Sequence, residues 1–213
     1  MKKIFLLLSL SMLLFGCKKD DNPGISFSAS TLSLYAGETH QLFQSSSDVN
    51  VTSNSDFVAS VSPRGLVTAN HIGVTEIRSG GSVCNVTVEP HYTLYPDPRL
   101  DWGASKAAIK SKLGTPYSET STSLLYQHTG TFVTGYMFTS DKLSGIGVTV
   151  STSYTSELAL ALKERYAIIQ NSSSGSIAAM YANANTIEKA TTIIGAQLQN
   201  VNFWTVLYMP NTL

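Results

Sequence analysis

The sequence predicts two domains, an all-β sandwich over residues 25–89 followed by an α+β domain over residues 102–213. In the first region, short alternating apolar runs are separated by glycine and proline, as in antiparallel sandwiches. In the second region, helix-like apolar stripes alternate with strand-like runs, which is typical of helices packed on an antiparallel sheet. Residues 90–101 contain several prolines and are expected to form a stiff linker between the two domains.

The N-terminal residues predict secretion and lipid attachment. An apolar run at residues 4–15 follows two lysines and is shorter than the roughly 20 apolar residues that a membrane-spanning helix needs. Residues 1–16 are therefore expected to be a signal peptide. The sequence Leu-Phe-Gly-Cys at residues 14–17 resembles the lipobox of bacterial lipoproteins, which implies cleavage before Cys17 and a lipid anchor on that cysteine. An ordinary cleaved signal peptide and an uncleaved anchor are the alternatives.

The residues after the cleavage site predict a tether. Residues 17–24 are charged and contain nothing apolar to bury, so we expect them to form a flexible segment. Fully extended, the seven residues after Cys17 reach about 25 Å. The Lys-Lys-Asp-Asp run resembles the signal that exports lipoproteins of Bacteroidetes-type bacteria to the outer face of the outer membrane. This resemblance implies a lipid-anchored protein at the cell surface, and the alternative is a solvated linker that happens to be charged.

Composition argues against several classes of function. Removal of Lys2 and Lys3 with the signal peptide leaves 12 basic and 14 acidic residues, a net charge of −2, with no basic patch that would indicate a nucleic-acid partner. With Cys17 acylated, Cys84 has no cysteine partner, and its alternation with Val86 and Val88 predicts a small buried apolar residue. No metal-ligand spacing, cofactor motif or catalytic motif is present, so we expect no metal, no cofactor and no enzymatic activity.

The first domain carries a more specific resemblance. Its matching segments are LSLYAGE at 32–38, VASVSPRGLVTA at 58–69, GVTEI at 73–77 and VTV at 86–88. In this order they are similar to group 2 bacterial immunoglobulin-like domains, which implies an immunoglobulin-like sandwich that acts as a spacer or adhesion module. Val51 stands where that family usually has tryptophan, so we expect a smaller or repacked core. Gly65 is expected to allow the turn that precedes Leu66.

Two helices are predicted in the second domain. The first begins at Ala104 or Ser105 and ends at Gly114 and Pro116. The second has Thr155 as its N-cap, and a polar loop at residues 171–175 ends it. Its apolar face is expected to contain Leu158, Leu162, Tyr166 and Ile169.

Strand-like runs follow each helix. They lie at residues 124–128, 132–139 and 143–151, and again at 177–182, near 191–198, and at 203–209. The segment 187–198 also fits a helix face, although its threonines and isoleucines favour a strand. The resulting order, αβββ-αβββ, predicts two helices packed on a six-stranded antiparallel sheet and is consistent with a duplicated unit. The helix end Leu-Gly-Thr-Pro at 113–116 is loosely similar to repeats of β-lactamase-inhibitory-protein-like and outer-membrane-assembly lipoprotein domains, which implies this architecture and no functional residue.

The candidate binding residues lie in and beside the linker. They combine aromatic rings with short polar groups, as a sugar-binding platform does. They are Tyr92, Tyr95, Trp102, Asp97, Arg99 and Asp101. The alternative interpretation is that the rings pack between the domains and that the acids pair with Arg99.

The functional hypothesis is a non-enzymatic outer-membrane lipoprotein at the cell surface. Its immunoglobulin-like spacer would present the second domain for binding a glycan or a protein, in adhesion or capture. One alternative is a periplasm-facing lipoprotein that binds envelope-assembly proteins. The other is a hydrolase whose site would consist of converging carboxylates or a Ser-His pair in a cleft of the second domain.

Overall fold

The computed structural model describes residues 25–128, 132–171 and 177–212. The predicted signal peptide, Cys17 as the predicted site of lipid attachment and the predicted tether therefore lie outside the described residues. Strands account for 46% of the described residues and helices for 14%, so the fold is predominantly β, with mostly antiparallel sheets. Within the described ranges, no helix combines the length and the apolar character needed to cross a membrane.

Residues 25–89 form short strands that pair into two sheets, with strand orders β1-β7-β6-β3 and β2-β5-β4. The strands are β1 Thr31–Tyr35, β2 Thr39–Gln41, β3 Thr52–Ser53, β4 Ala59–Val61, β5 Leu66–Ala69, β6 Gly73–Ser79 and β7 Ser82–Glu89. Pairing is antiparallel except that β1 runs parallel to β7. The expectation of a purely antiparallel arrangement is thus wrong at β1. This strand is not joined to β7 by a hairpin, so no turn constrains their relative direction.

Both of these sheets contribute to one apolar cluster. It includes Leu34 from β1, Val67 from β5 and Ile77 from β6. On β7, Cys84, Val86 and Val88 are buried while the residues between them are more exposed, which confirms the predicted alternation. Burial raises the pKa of the free Cys84 thiol, so this residue packs as an apolar group. Val51 packs at the edge of the cluster.

Gly65 confirms the expected turn and has a geometric reason to be glycine. Its φ is +90°, a left-handed conformation that residues with a Cβ rarely adopt. A Cβ at this position would lie 2.3 Å from the carbonyl oxygen of Phe43. The turn is closed by the Gly65 N–H, which donates to the Ser62 carbonyl at 2.9 Å.

The C-terminal part contains two α-helices and eight strands among the described residues. These are α1 Lys106–Leu113, β8 Ser118–Glu119, β9 Ser123–Gln127, β10 Val133–Thr139, β11 Lys142–Ser151, α2 Thr155–Arg165, β12 Ala167–Asn171, β13 Ile177–Ala182, β14 Thr192–Asn200 and β15 Phe203–Pro210. Short 3₁₀ turns occupy Thr152–Tyr154 and Ile187–Lys189. The strands form one antiparallel sheet, called here the C-terminal sheet, in the order β12-β13-β14-β15-β11-β10-β9-β8.

Each helix is therefore followed by a four-stranded meander, and the two meanders join through their last strands, β11 and β15. The helices contribute Ile109, Leu158 and Leu162 to a core formed with one face of the C-terminal sheet. On that face, Ile146, Tyr208 and Ile194 are opposite one another on neighbouring strands. The symmetric order α-β-β-β-β, repeated, agrees with the idea of a duplicated unit.

The predicted order αβββ-αβββ and the six-stranded sheet are wrong by one strand in each half of the described C-terminal part. Strand β8 has two residues, too few to produce an alternating pattern. Strand β12 follows α2 directly, because Tyr166 is already extended and Ile168 pairs with Tyr181 of β13. Ile169 is therefore in a strand and not on the helix face, since β-branched residues favour extended structure.

Other local predictions agree better with the structure. The hydroxyl of Ser105 caps α1 by accepting from the Ala108 N–H at 3.2 Å, and Gly114 ends the helix. Helix α2 begins at Thr155, which was expected to be the N-cap, and the cap position is taken by Tyr154. The ambiguous segment 187–198 contains the second 3₁₀ turn and then β14, so its strand interpretation is confirmed from Thr192 onward. Of the predicted loop at 171–175, Asn171 ends β12 and the rest lies outside the described residues.

We expect Gly65→Ala to destabilise the protein more than Gly37→Ala. Both glycines have φ near +90°, so both substitutions carry the left-handed penalty of about 1–2 kcal/mol. A Cβ at Gly37 meets nothing within 4 Å, whereas one at Gly65 collides with Phe43. The difference in unfolding free energy, measured by urea denaturation, should be at least about 1 kcal/mol. Equal losses would contradict the assigned packing of this turn.

Candidate functional site

The linker packs against the core face of the C-terminal sheet, and this placement changes the role of Tyr95. Its side chain is only 6% exposed and belongs to the sheet's core. Its hydroxyl lies 2.9 Å from the hydroxyl of Tyr208. Tyr95 therefore presents no ring face to a ligand, and its inclusion in a surface platform is wrong. The apolar ring is more stable in the core once its hydroxyl has a partner there.

Tyr95 and Tyr208 form a buried group with Tyr166, which follows α2. The rings of Tyr166 and Tyr208 are nearly perpendicular, with centroids 6.1 Å apart. Burial raises the pKa of Tyr166 to about 12 and raises the pKa of Tyr95 and of Tyr208 further above the usual tyrosine value. All three hydroxyls therefore stay protonated over the physiological range, and the contact between the Tyr95 and Tyr208 hydroxyls attaches the linker to the sheet.

Trp102 and Tyr92 are half-buried, and the indole of Trp102 and the backbone of Tyr92 already have hydrogen-bond partners. The indole Nε1–H of Trp102 donates to the Thr192 hydroxyl at 2.9 Å, and the ring packs against the core. The backbone N–H of Tyr92 donates to Glu164 at 3.1 Å, and its carbonyl accepts from Arg165 at 3.0 Å. These contacts favour the packing interpretation of the linker aromatics over the sugar-platform interpretation.

The charged candidates pair with basic side chains. Asp101 accepts from Lys112 at 2.8 Å and from Arg99 at 3.0 Å, and these hydrogen bonds lower the pKa of its carboxyl. The pairing of Asp101 with Arg99 was the alternative expected from the sequence. Asp97 differs, since it accepts from the Arg165 Nε at 2.6 Å. The two aspartates are thus held by separate partners and do not act as a carboxylate pair.

Glu164, near the end of α2, joins the C-terminal part to residues 25–92. Its carboxylate accepts from the backbone N–H groups of His91 at 3.0 Å and Tyr92 at 3.1 Å, and the His91 Nδ1 is 3.1 Å away. Its backbone carbonyl accepts from the Ile72 N–H at 2.8 Å. The Glu164 side chain is only 11% exposed. Glu164 is therefore a buried junction residue and not a solvated surface charge.

A sequence signal for this role does exist. An acidic residue in the last turn of a helix is disfavoured by the helix dipole, so a glutamate there suggests compensation by tertiary partners. Arg165, which follows it, is also largely buried and donates to the carbonyls of Tyr92 and Ala161 as well as to Asp97. Adjacent opposite charges at this position therefore bind the same linker, Glu164 through backbone N–H groups and Arg165 through a carbonyl and Asp97.

His71 completes the junction on the side of residues 25–89. Its ring stacks on Phe57 with centroids 4.2 Å apart, and its Nδ1 is 2.8 Å from the Phe57 carbonyl oxygen. Burial lowers the pKa of His71, although the backbone groups of Phe57 and Tyr166 act on it in the opposite direction.

A cleft opens beside the junction, between the linker, the end of α1 and strands β9 and β10. Its volume is about 270 Å³. We call it the linker cleft, and its lining residues are Pro96, Asp97, Leu113, Tyr126, Gln127, His128, Thr134 and Tyr136. Of the six candidate residues, only Asp97 lies here, and its side chain is 56% exposed. The sequence analysis did not identify Gln127 and His128 as site residues. The only feature of the sequence that could have indicated them is that two polar residues end an apolar strand-like run.

Hydrogen bonds hold the walls of the linker cleft in place. The Tyr126 hydroxyl donates to the Gly114 carbonyl at 3.2 Å, and the Tyr136 hydroxyl accepts from the Arg99 N–H at 3.1 Å. The His128 Nε2 lies 3.0 Å from the Thr134 hydroxyl. Hydrogen bonds therefore connect the segments that form the cleft, which are the linker, the end of α1, β9 with His128, and β10.

The linker cleft does not supply the groups that the hydrolase alternative required. Its one carboxylate among the described residues is Asp97, which is already paired with Arg165. The hydroxyl that contacts His128 belongs to Thr134, which is 2% exposed and part of the interior. In the parts of the chain that the structure describes, no group of three histidine, cysteine or acidic residues could hold a metal ion.

We expect Glu164→Ala to destabilise the protein by about 2–4 kcal/mol. The substitution removes hydrogen bonds to a carboxylate and leaves backbone N–H groups of the linker unpaired. Lys163→Ala is the matched control, because Lys163 is the exposed neighbour of Glu164 on the same helix. Urea denaturation measures both changes. Similar small losses in the two variants would show that the Glu164 contacts do not stabilise the junction.

The buried tyrosines predict a loss of stability at alkaline pH. Folding raises the pKa of Tyr166 from 10.0 to about 12, so its contribution is fully present below pH 10 and is lost as the pH rises toward 12. In that interval the unfolding free energy should fall by about 1.4 kcal/mol per pH unit for each such tyrosine. Tyr166→Phe should reduce this slope, while Tyr117→Phe, at an exposed position, should not. An unchanged slope in Tyr166→Phe would contradict the assignment.

Comparison with known proteins adds no family to these observations. No protein-family model matches the chain, and no curated protein matches it. The assignment of a function therefore depends on the chain's own residues and contacts.

Proposed function

We propose that the protein is a non-enzymatic, lipid-anchored protein of the outer membrane, exposed at the cell surface, that binds a glycan or a protein. In this proposal, residues 25–89 form an immunoglobulin-like spacer domain. Residues 102–213 form an α+β domain that makes the contact. The lipid on Cys17 and the tether at 17–24 attach the spacer to the membrane.

The path of β7 is the observation that carries the spacer role. At its first residue, the Ser82 hydroxyl donates to the carbonyl of Ile25, the first described residue after the tether. At its other end, Glu89 lies two residues before His91, which contacts Glu164 of the C-terminal part. Eight strand residues at about 3.3 Å each separate these ends by about 25 Å. The tether and the C-terminal part therefore join opposite ends of the same strand.

This geometry supports presentation of the C-terminal part at a distance from the membrane. The extended tether would add about 25 Å to the length of β7, for a total reach of about 50 Å. The junction also supports it, because Glu164 and Arg165 hold the linker by hydrogen bonds to its backbone N–H groups and to the Tyr92 carbonyl.

Substitution of Cys17 tests the anchor. We expect the wild-type protein to incorporate a labelled fatty acid in growing cells and Cys17→Ala to incorporate none, because the lipid is attached to that thiol. Cys84→Ala is the control, since Cys84 is buried in the core and should not affect attachment. Equal labelling of Cys17→Ala and the wild-type protein would contradict lipid attachment at this residue.

Digestion of intact cells with a protease that cannot cross the outer membrane tests the surface location. We expect the wild-type protein to be degraded without permeabilisation. Complete protection until the outer membrane is opened would reject the surface proposal and favour the periplasm-facing alternative. A periplasmic protein of known location serves as the control for membrane integrity.

A further inference from the structure

We propose that the linker cleft binds a single neutral sugar unit. This inference rests on the proposed binding function and names its ligand class and site. It differs from the aromatic platform expected from the sequence, because the cleft is formed mainly by β9, β10 and the end of α1, and Asp97 is the one residue that the two sites share.

Unpartnered polar groups line this cleft. Among the described residues, the exposed side-chain amide of Gln127 has no hydrogen-bond partner, and His128 uses Nε2 while its Nδ1 has none. Asp97 uses Oδ1 for Arg165, and its carboxylate is still more than half exposed. The cleft therefore offers an amide, a ring nitrogen and a carboxylate oxygen to a ligand. Hydroxyl groups, which both donate and accept, can satisfy all three.

The charge of the cleft favours a neutral ligand. Asp97 is the one charged residue in its described lining, and Arg165 neutralises it at 2.6 Å. Arg165 itself is 10% exposed, its Nε and Nη1 groups donate to the linker and to α2, and it is not among the residues that line the cleft, so it offers little to an anionic ligand. A paired carboxylate with an exposed oxygen remains a strong acceptor for hydroxyl groups without attracting a cation as an isolated acid would.

The remaining lining gives the cleft an apolar side. Pro96, Leu113 and the edges of Tyr126 and Tyr136 provide it. A pyranose has the complementary shape, with hydroxyl groups at its rim and C–H groups on its faces. Since the tyrosine hydroxyls are fixed by the bonds to Gly114 and Arg99, binding would not require these walls to become ordered.

The size of the cleft limits the ligand. Its volume of about 270 Å³ lies just below the usual range of roughly 300–1,000 Å³ for sites that enclose drug-sized ligands. A single sugar ring, free or at the end of a glycan, fits this volume better than a folded peptide segment. We therefore expect weak, millimolar binding of monosaccharides.

Amide chemical shifts of the isotope-labelled lipidated protein, in a sugar-free detergent, provide the test. The probes are glucose, galactose, mannose and N-acetylglucosamine. We expect at least one of them to shift the amide signals of His128 and of its neighbours in the cleft. Gln127→Ala should weaken that binding about fivefold, the effect of one lost neutral hydrogen bond. Gln199→Ala is the matched control, because Gln199 is also an exposed strand glutamine but lies outside the cleft.

Three results would overturn the proposal: no shift in the cleft with any of the four sugars, equal binding by the two glutamine variants, or stronger binding of cationic glucosamine than of N-acetylglucosamine. The spectra of both variants also report whether they fold. Failure of this test leaves the Cys17 and protease experiments unaffected, so the loss of the sugar site can be distinguished from the loss of the surface-lipoprotein proposal.

Discussion

The carboxylate of Glu164 is the contact on which the arrangement of the whole chain depends. It is placed where the helix dipole opposes it, and it is compensated by donors from the linker that would otherwise be unpaired. The next residue, Arg165, binds the linker through the Tyr92 carbonyl and through Asp97. The last turn of α2 thus binds both N–H and carbonyl groups of the linker. The Ile72 N–H, just before β6, also donates to the Glu164 carbonyl.

This fixed linker also determines the shape of the candidate site. Tyr95 inserts into the core and meets Tyr208, which lies on the strand that joins the two meanders. Two residues further along the linker, Asp97 is held at the mouth of the cleft by Arg165. The position of the Asp97 carboxylate in the cleft is therefore set by a buried tyrosine pair and a helix end, and not by the local conformation of the linker.

Local patterns predicted much of the fold, because their causes are local. The cap at Ser105, the stop at Gly114, the turn at Gly65 and the buried face of Cys84 each depend on a few neighbouring residues. Strand β8 is too short to leave a pattern, and β12 follows a helix whose apolar period continues into it. Those two strands could be recognised only through their pairing partners.

The candidate site was less predictable, for a related reason. Aromatic residues near Asp97 suggested a platform, but whether a ring faces solvent depends on which surface the linker covers, and Tyr95 is covered. Gln127 and His128 come to lie opposite Pro96 and Leu113 only because β9 packs beside the linker and α1. No spacing along the chain brings these segments together.

The parallel pairing of β1 with β7 has a mechanical consequence under the proposed anchoring. A pull between the tether and the C-terminal part acts on the start of β1 and the end of β7. Because the strands are parallel, this force shears all the residue pairs from Thr31–Asn85 to Tyr35–Glu89 simultaneously. An antiparallel pair held at one end would instead open one rung after another. If the protein is anchored as proposed, the strand direction that the sequence did not predict would thus make residues 25–89 resist force between the membrane and the C-terminal part.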